Sequence, residues 1–201
     1  MRLVRVGLAL GGVVFAGYTG QVVVQAVGHS YDPFKQFSIK HNPSGAWSYV
    51  VDGSALTQPI KTCNGVKRVY CWTNGQSYPD AAAVEANKTG KTVSFQSIVL
   101  PPDYLDMDPE NNPNVGFQWA APKAGTFTVS GNFLGVDTGE VPHSVEILHN
   151  GASIYANTIS SYGEEDSFDL QVSVEKGDTI SFLNETNGPN ALSTGLQAAI
   201  G

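Results

Sequence analysis

Three stretches in the second half of the chain decide the reading of the fold. They are Val115-Gly116-Phe117-Gln118-Trp119-Ala120-Ala121, Thr126-Phe127-Thr128-Val129-Ser130-Gly131-Asn132-Phe133 and Ser144-Val145-Glu146-Ile147-Leu148-His149. In each, apolar and polar side chains alternate with a period of two, so one set faces a core and the other faces away from it, as in a half-buried strand. Asn150-Gly151 follows the third stretch, and both residues tolerate positive φ. The dipeptide therefore predicts a two-residue hairpin into a strand over Ile154–Ile159.

Working outward, the same alternation marks Ser167–Val174, Thr179–Leu183 and Gly195–Ile200, with Glu175-Lys176-Gly177-Asp178 as a turn. Upstream, Phe34–Ile39, Ala46–Val51, Lys67–Trp72, Val84–Lys88 and Val93–Leu100 are expected strands. Pro101 to Pro113 reads as a Pro- and Asp-rich loop. No stretch of the body sustains a helical apolar stripe. Nine to eleven short strands with regular turn signals predict an all-β, two-sheet antiparallel sandwich, a jelly roll, over residues 34–201.

Composition agrees. Gly accounts for 22 of 201 residues and charged residues for only 14%, while the 41% hydrophobic share is enough for a core. The formal charge of −7, with 11 Lys plus Arg, supplies no basic stripe for phosphates and excludes nucleic acid as an expected partner. Cys63 and Cys71 enclose a short segment that opens on Asn64-Gly65. Two cysteines flanking a turn are expected to form a disulfide, which fits an oxidising compartment.

Ahead of the body, Arg2 and Arg5 precede residues 6–28, which are 23 positions without a charged side chain. That length suits a membrane-spanning helix, which needs about 20 residues, better than the shorter apolar region of a signal peptide. Gly12, Ala16 and Gly20 repeat every four residues, so a helix here would carry a small-residue face for packing against another helix. Val24-Gln25-Ala26 also forms a small-residue cleavage site. Retained anchor and cleaved signal both stay open, and either one places the body outside the inner membrane, in the periplasm or beyond. The expected organisation is thus residues 1–28 as anchor or signal, 29–33 as linker and 34–201 as sandwich.

Two phrases carry a family resemblance. Asn42-Pro43-Ser44-Gly45-Ala46-Trp47-Ser48-Tyr49 and Trp119-Ala120-Ala121-Pro122-Lys123-Ala124-Gly125-Thr126-Phe127-Thr128-Val129-Ser130-Gly131-Asn132-Phe133 resemble the "NPxGxWSY" and "WxAPxAGxFxVxGxF" phrases of exported bacterial β-sandwich proteins, many with PEP-CTERM sorting tails. The resemblance implies an exported sandwich with a carbohydrate-binding-like fold. The chain stops at Gly201 without the sorting motif, so attachment to the envelope is expected at the N-terminus. Trp47, Tyr49, Phe117 and Trp119 alternate with polar neighbours and are expected in the core.

No catalytic set is present: there is no nucleophile elbow, phosphate loop, zinc-protease helix or dinucleotide fingerprint. The expectation is a non-enzyme. Asp103, Asp106, Asp108 and Glu110, with Asn111 and Asn112, offer hard oxygen ligands in one loop and form the candidate calcium site; no other cofactor is expected. Tyr70, Trp72, Tyr78 and Tyr104, and also Tyr155 and Tyr162, are candidate stacking aromatics for sugar rings. Asn87-Lys88-Thr89 and Asn184-Glu185-Thr186 match the glycosylation sequon. Two functions compete. One is an accessory subunit of a membrane-associated envelope complex, held by the N-terminal helix with other subunits and the membrane as partners. The alternative is a secreted module that binds a surface polysaccharide.

Overall fold

A computed structural model describes residues 30–75, 81–110, 114–139, 142–185 and 192–201. The apolar segment with Gly12, Ala16 and Gly20 lies outside the described residues, as do Tyr78, Asn111 and Asn112. Among the described residues no helix is long and apolar enough to cross a membrane.

The strands run in chain order as β1 (Trp47–Val51), β2 (Ser54–Ala55), β3 (Gln58–Ile60), β4 (Val69–Thr73), β5 (Ala83–Asn87), β6 (Val93–Phe95), β7 (Ile98–Leu100) and β8 (Leu105–Asp108). They continue as β9 (Val115–Ala120), β10 (Gly125–Gly135), β11 (His143–His149), β12 (Ala152–Ile159), β13 (Glu165–Val174), β14 (Thr179–Glu185) and β15 (Thr194–Ile200). One sheet has the order β12-β11-β14-β9-β1-β2. The other has β13-β10-β15-β8-β5-β4-β3, and β6-β7 is a separate hairpin. All pairings are antiparallel. From β8 onward the chain changes sheet at every step except the β11–β12 hairpin. The orders β8-β15-β10-β13 and β9-β14-β11-β12 are those of an eight-stranded jelly roll. The earlier strands widen both sheets.

The core lies between the sheets. Trp47, Tyr49, Phe117, Trp119 and Phe182 meet Val84, Leu105, Met107, Val129, Phe133 and Leu196 across the gap, and all eleven are fully buried. The Asn-Pro-Ser-Gly phrase is a clasp for the first strand. Asn42 Nδ2 donates to the carbonyls of Tyr49 and Leu56, both at 2.8 Å, while Asn42 Oδ1 accepts from the Tyr49 amide at 2.9 Å. Asn150 and Gly151 have φ of 51° and 81°, as the expected hairpin requires.

Three expectations are corrected. Residues Phe34–Ile39 do not form a strand: Asp32 caps a single helical turn, α1 (Pro33–Gln36), because its carboxylate accepts from the Lys35 amide and Pro33 presets φ. Val93–Leu100 is a hairpin and not one strand, folded back at Gln96, whose φ is 48°. The Pro101–Pro113 loop contains β8, a central strand of the larger sheet, since Leu105 and Met107 reach the core while Asp106 and Asp108 point the other way. Within the expected linker, Tyr31 exchanges two backbone hydrogen bonds with Ile200, at 2.7 and 3.0 Å, and its ring sits 5.4 Å from that of Trp119.

Candidate functional site

The outer face of the seven-stranded sheet carries the chemistry, in two parts. On β10 and β13 the outward side chains pair across the strands as Thr126 with Ser173, Thr128 with Gln171, Ser130 with Asp169 and Asn132 with Ser167. These are hydroxyls, amides and one carboxylate, and they bond to one another: Thr126 Oγ1 to Ser173 Oγ at 3.0 Å, Gln171 Nε2 to Thr128 Oγ1 at 2.7 Å. Beside this ladder lies a half-open groove of about 660 Å³. Its floor is Ser130, Gly131 and residues 197–199 of β15. Its walls are Asp32, Phe34 and Lys35 from the helical turn, and Asp103.

The walls are braced. Lys88 Nζ lies 3.5 Å over the centre of the Phe34 ring and also donates to the Phe34 carbonyl. Half-burial lowers the Lys88 ammonium's pKa, an effect that the charges of Asp32 and Asp103 oppose. Lys35 Nζ pairs with Asp32 at 2.9 Å. Gln197 Nε2 donates to the Asp103 carbonyl at 3.4 Å. Half-buried Tyr104 exchanges hydrogen bonds with Asn132, whose amide also donates to Glu165.

The second part is buried. Glu85 on β5 stands directly opposite Asp106 on β8, and Asp108 follows two residues on, so all three project from the same outer face. Two satellites pack beside this face. The disulfide-closed turn at Cys63–Gly65 packs with Val69 and Ala83, and the β6–β7 hairpin packs on Val136 and Leu134. Asn64, in the disulfide-closed turn, donates from Nδ2 to Glu85 Oε1 at 3.3 Å, and Glu85 and Asp106 are 0% exposed. Burial, then the charges of Glu85 and Asp108, push the Asp106 carboxyl well above the usual carboxylate range. The nearby Ser193 hydroxyl and Met107 amide pull it back in part, although neither reaches hydrogen-bond geometry. Asp108 is raised for the same leading reason, then by Glu85 and Glu110.

The expected calcium ligands thus divide. Asp106 and Asp108 come together, with Glu110 beside Asp108. Asp103 is exposed and turns to the groove. Glu85 and Ser193 join the acids although no loop signal marked them; alternation within Ala83–Asn87 could have put Glu85 on the polar face. The Cys63–Cys71 disulfide forms, with Cα atoms 6.0 Å apart. Its sulfurs lie within 4.8 Å of a Glu85 oxygen, but a disulfide offers no thiolate for a metal.

The stacking aromatics are largely corrected. Trp72 is 6% exposed and donates from Nε1 to the Ser38 carbonyl at 2.8 Å, so it belongs to the core. Tyr70 is half-buried beside it on β4, and Tyr155 is tied to Asp166 at 2.7 Å. Tyr162 is half exposed, and Tyr104 stands next to the groove. Phe34, which alternation had assigned to a strand, supplies the groove's aromatic wall instead. Both sequon asparagines are 0% exposed. Asn87 Nδ2 donates to the carbonyls of Lys91, Leu100 and Pro101, and Asn184 Nδ2 to those of Met107 and Leu192, so neither side chain is open to modification in the folded protein.

No family model and no curated protein matches the chain. Among solved structures, it is similar to a family 35 carbohydrate-binding module from Paenibacillus barcinonensis, at 12% identity over 87% of this chain and 98% of that one, with a TM-score of 0.37. It is also similar to a family 36 carbohydrate-binding module in complex with calcium and xylotriose (13% identity, 57% and 95% covered, TM-score 0.36). A family 35 module from Clostridium thermocellum matches at 8% identity over 72% and 97%, with a TM-score of 0.31.

Proposed function

We propose that this protein is a non-catalytic, exported binding module that holds a polysaccharide in the groove between the helical turn and β15. The observation that carries the proposal is the groove itself. One aromatic wall, Phe34, stands over a floor that offers the Ser130 hydroxyl and the Gln197 amide, with the Asp32, Asp103 and Lys35 charges at the rim. A sugar ring presents an apolar face ringed by hydroxyls, and this lining supplies an apolar surface together with donors and acceptors. The groove's volume falls within the range of small-ligand sites, roughly 300–1,000 Å³. Short, mutually hydrogen-bonded side chains across β10 and β13 lose little rotamer entropy when a ligand lies on them.

The disulfide supports export to an oxidising compartment. The buried position of Glu85 and Asp106 supports a non-catalytic role, because no substrate reaches a fully covered carboxylate. The envelope-subunit reading rests on residues 6–28, which lie outside the described residues.

Polysaccharide arrays and affinity electrophoresis test the proposal. Binding to at least one surface polysaccharide is expected. It should weaken about tenfold or more in Gln197→Ala and Asp103→Ala, roughly the loss of one or two hydrogen bonds, with the melting temperature unchanged. Uniformly blank arrays, or binding that both variants retain in full, would refute the groove.

A further inference from the structure

We infer that Glu85, Asp106 and Asp108, together with the Ser193 hydroxyl, form a binding site for one divalent cation, and that its chemistry selects calcium. The inference is independent of the polysaccharide groove, which uses other side chains.

Position comes first. The β5–β8 register sets Glu85 against Asp106, and strand alternation adds Asp108 to the same face. Ser193, 2% exposed, arrives from a distant part of the chain just ahead of β15 and sets its hydroxyl beside Asp106. Satisfaction comes next. Both carboxylate oxygens of Asp106 and the Ser193 Oγ are buried without a hydrogen-bond partner. Among the described residues, no lysine, arginine or histidine forms an ion pair with Asp106 or Asp108. Other acids add to the negative field: Glu110 follows β8, and Asp137 faces Asp108 while accepting from Ser97 Oγ and the Gly139 amide. Buried carboxylates without a positive partner are costly, and proteins resolve the cost by pairing them, by protonating them or by coordinating a metal. A hydroxyl left unpaired at the same spot favours the third answer, since it is one more oxygen ligand.

The donor set then names the metal. All of it is oxygen, with no imidazole, and the adjacent sulfurs are locked in the disulfide. That excludes a preference for zinc or copper and leaves the hard cations. Magnesium keeps several waters and demands strict octahedral geometry. Calcium accepts six to eight oxygens in irregular cages and suits a water-poor interior better. The three carboxylates do not all lie within 4.8 Å of one another here, so binding would close them by side-chain rotation. The cation would tie β5, β8 and the approach to β15 together.

The test is thermal unfolding of the full chain after chelator treatment, with and without millimolar calcium or magnesium. Calcium at a hundredfold excess over its Kd should raise the melting temperature by about 5 °C or more, and magnesium by less. Asp106→Asn and Glu85→Gln should abolish the rise, whereas Asp103→Asn, in the groove, should keep it. Protein purified without chelator should carry one calcium per chain by elemental analysis. The opposite outcome is no rise in the wild type with either cation, together with Asp106→Asn as the more stable protein. That pair of results would overturn the inference in favour of a cluster held by protons. A rise that both Asp106→Asn and Glu85→Gln retain would also overturn it. If Asp106→Asn fails to fold, Glu85→Gln and the elemental analysis decide.

Discussion

Trp72, Asn42 and Asn87 show how single side chains do work that their surroundings in the sequence conceal. Trp72 follows a disulfide cysteine in a segment rich in polar residues and reads as an exposed ring, yet it fills the space beside Tyr49, with ring centres 6.0 Å apart. Trp72→Ala is therefore expected to cost about 4 kcal/mol of stability through the cavity it leaves, together with the orphaned Ser38 carbonyl. A urea midpoint that hardly moves would contradict this assignment. Asn42 and Asn87 use planar amides in place of strand neighbours: Asn42 satisfies the first strand, and Asn87 gathers three carbonyls at the base of the β6–β7 hairpin. Glycine matters at Gly116 for a simpler reason, because a Cβ there would stand 1.9 Å from the Phe182 carbonyl oxygen.

Turns and hairpins behave as separable units. The 175–178 turn is held by Asp178, whose carboxylate accepts from the Glu175 amide at 2.9 Å and contacts His149 at 3.1 Å. The Glu175 amide first, then Asn150 and His149, hold its pKa below the usual 3.8. A carboxyl depressed in the folded state adds stability above its ordinary pKa, and that contribution is lost as pH falls through the depressed value. Asp178→Asn should accordingly lower the melting temperature at neutral pH, differ little from the wild type once the carboxyl is protonated, and so flatten the acid side of the profile below pH 3.8. An acid limb as steep as the wild type's would refute the role. The same scale explains two misread elements. Asp32-Pro33 is a helix-start signal, but Phe37 and Ile39 alternate beyond it and suggest a strand. In 101–113, prolines and acids suggest a loop, although Leu105-Asp106-Met107-Asp108 itself alternates as a strand does.

Across the molecule, one core joins both sheets. Trp47 and Trp119 are buried between them, and the jelly-roll connections carry the chain from sheet to sheet. Neither sheet can bury its apolar face alone, so unfolding should be a single transition. Tryptophan fluorescence and far-ultraviolet circular dichroism are expected to give coincident urea curves, and separated midpoints would show the sheets coming apart independently. The sequence by itself determined the all-β class, most strand positions after residue 115, the Asn150-Gly151 hairpin and the disulfide pair. All of these follow from local backbone geometry, where a period of two or a pair of turn residues is sufficient. Only the tertiary structure decided which polar faces are covered. Asp106 looks solvated in the sequence, yet Ser193 arrives beside it from a distant part of the chain, and Asn64 bonds to Glu85 directly opposite it. Alternation states that a side chain leaves the core face; what waits on the other side is set by long-range packing, which no local pattern encodes.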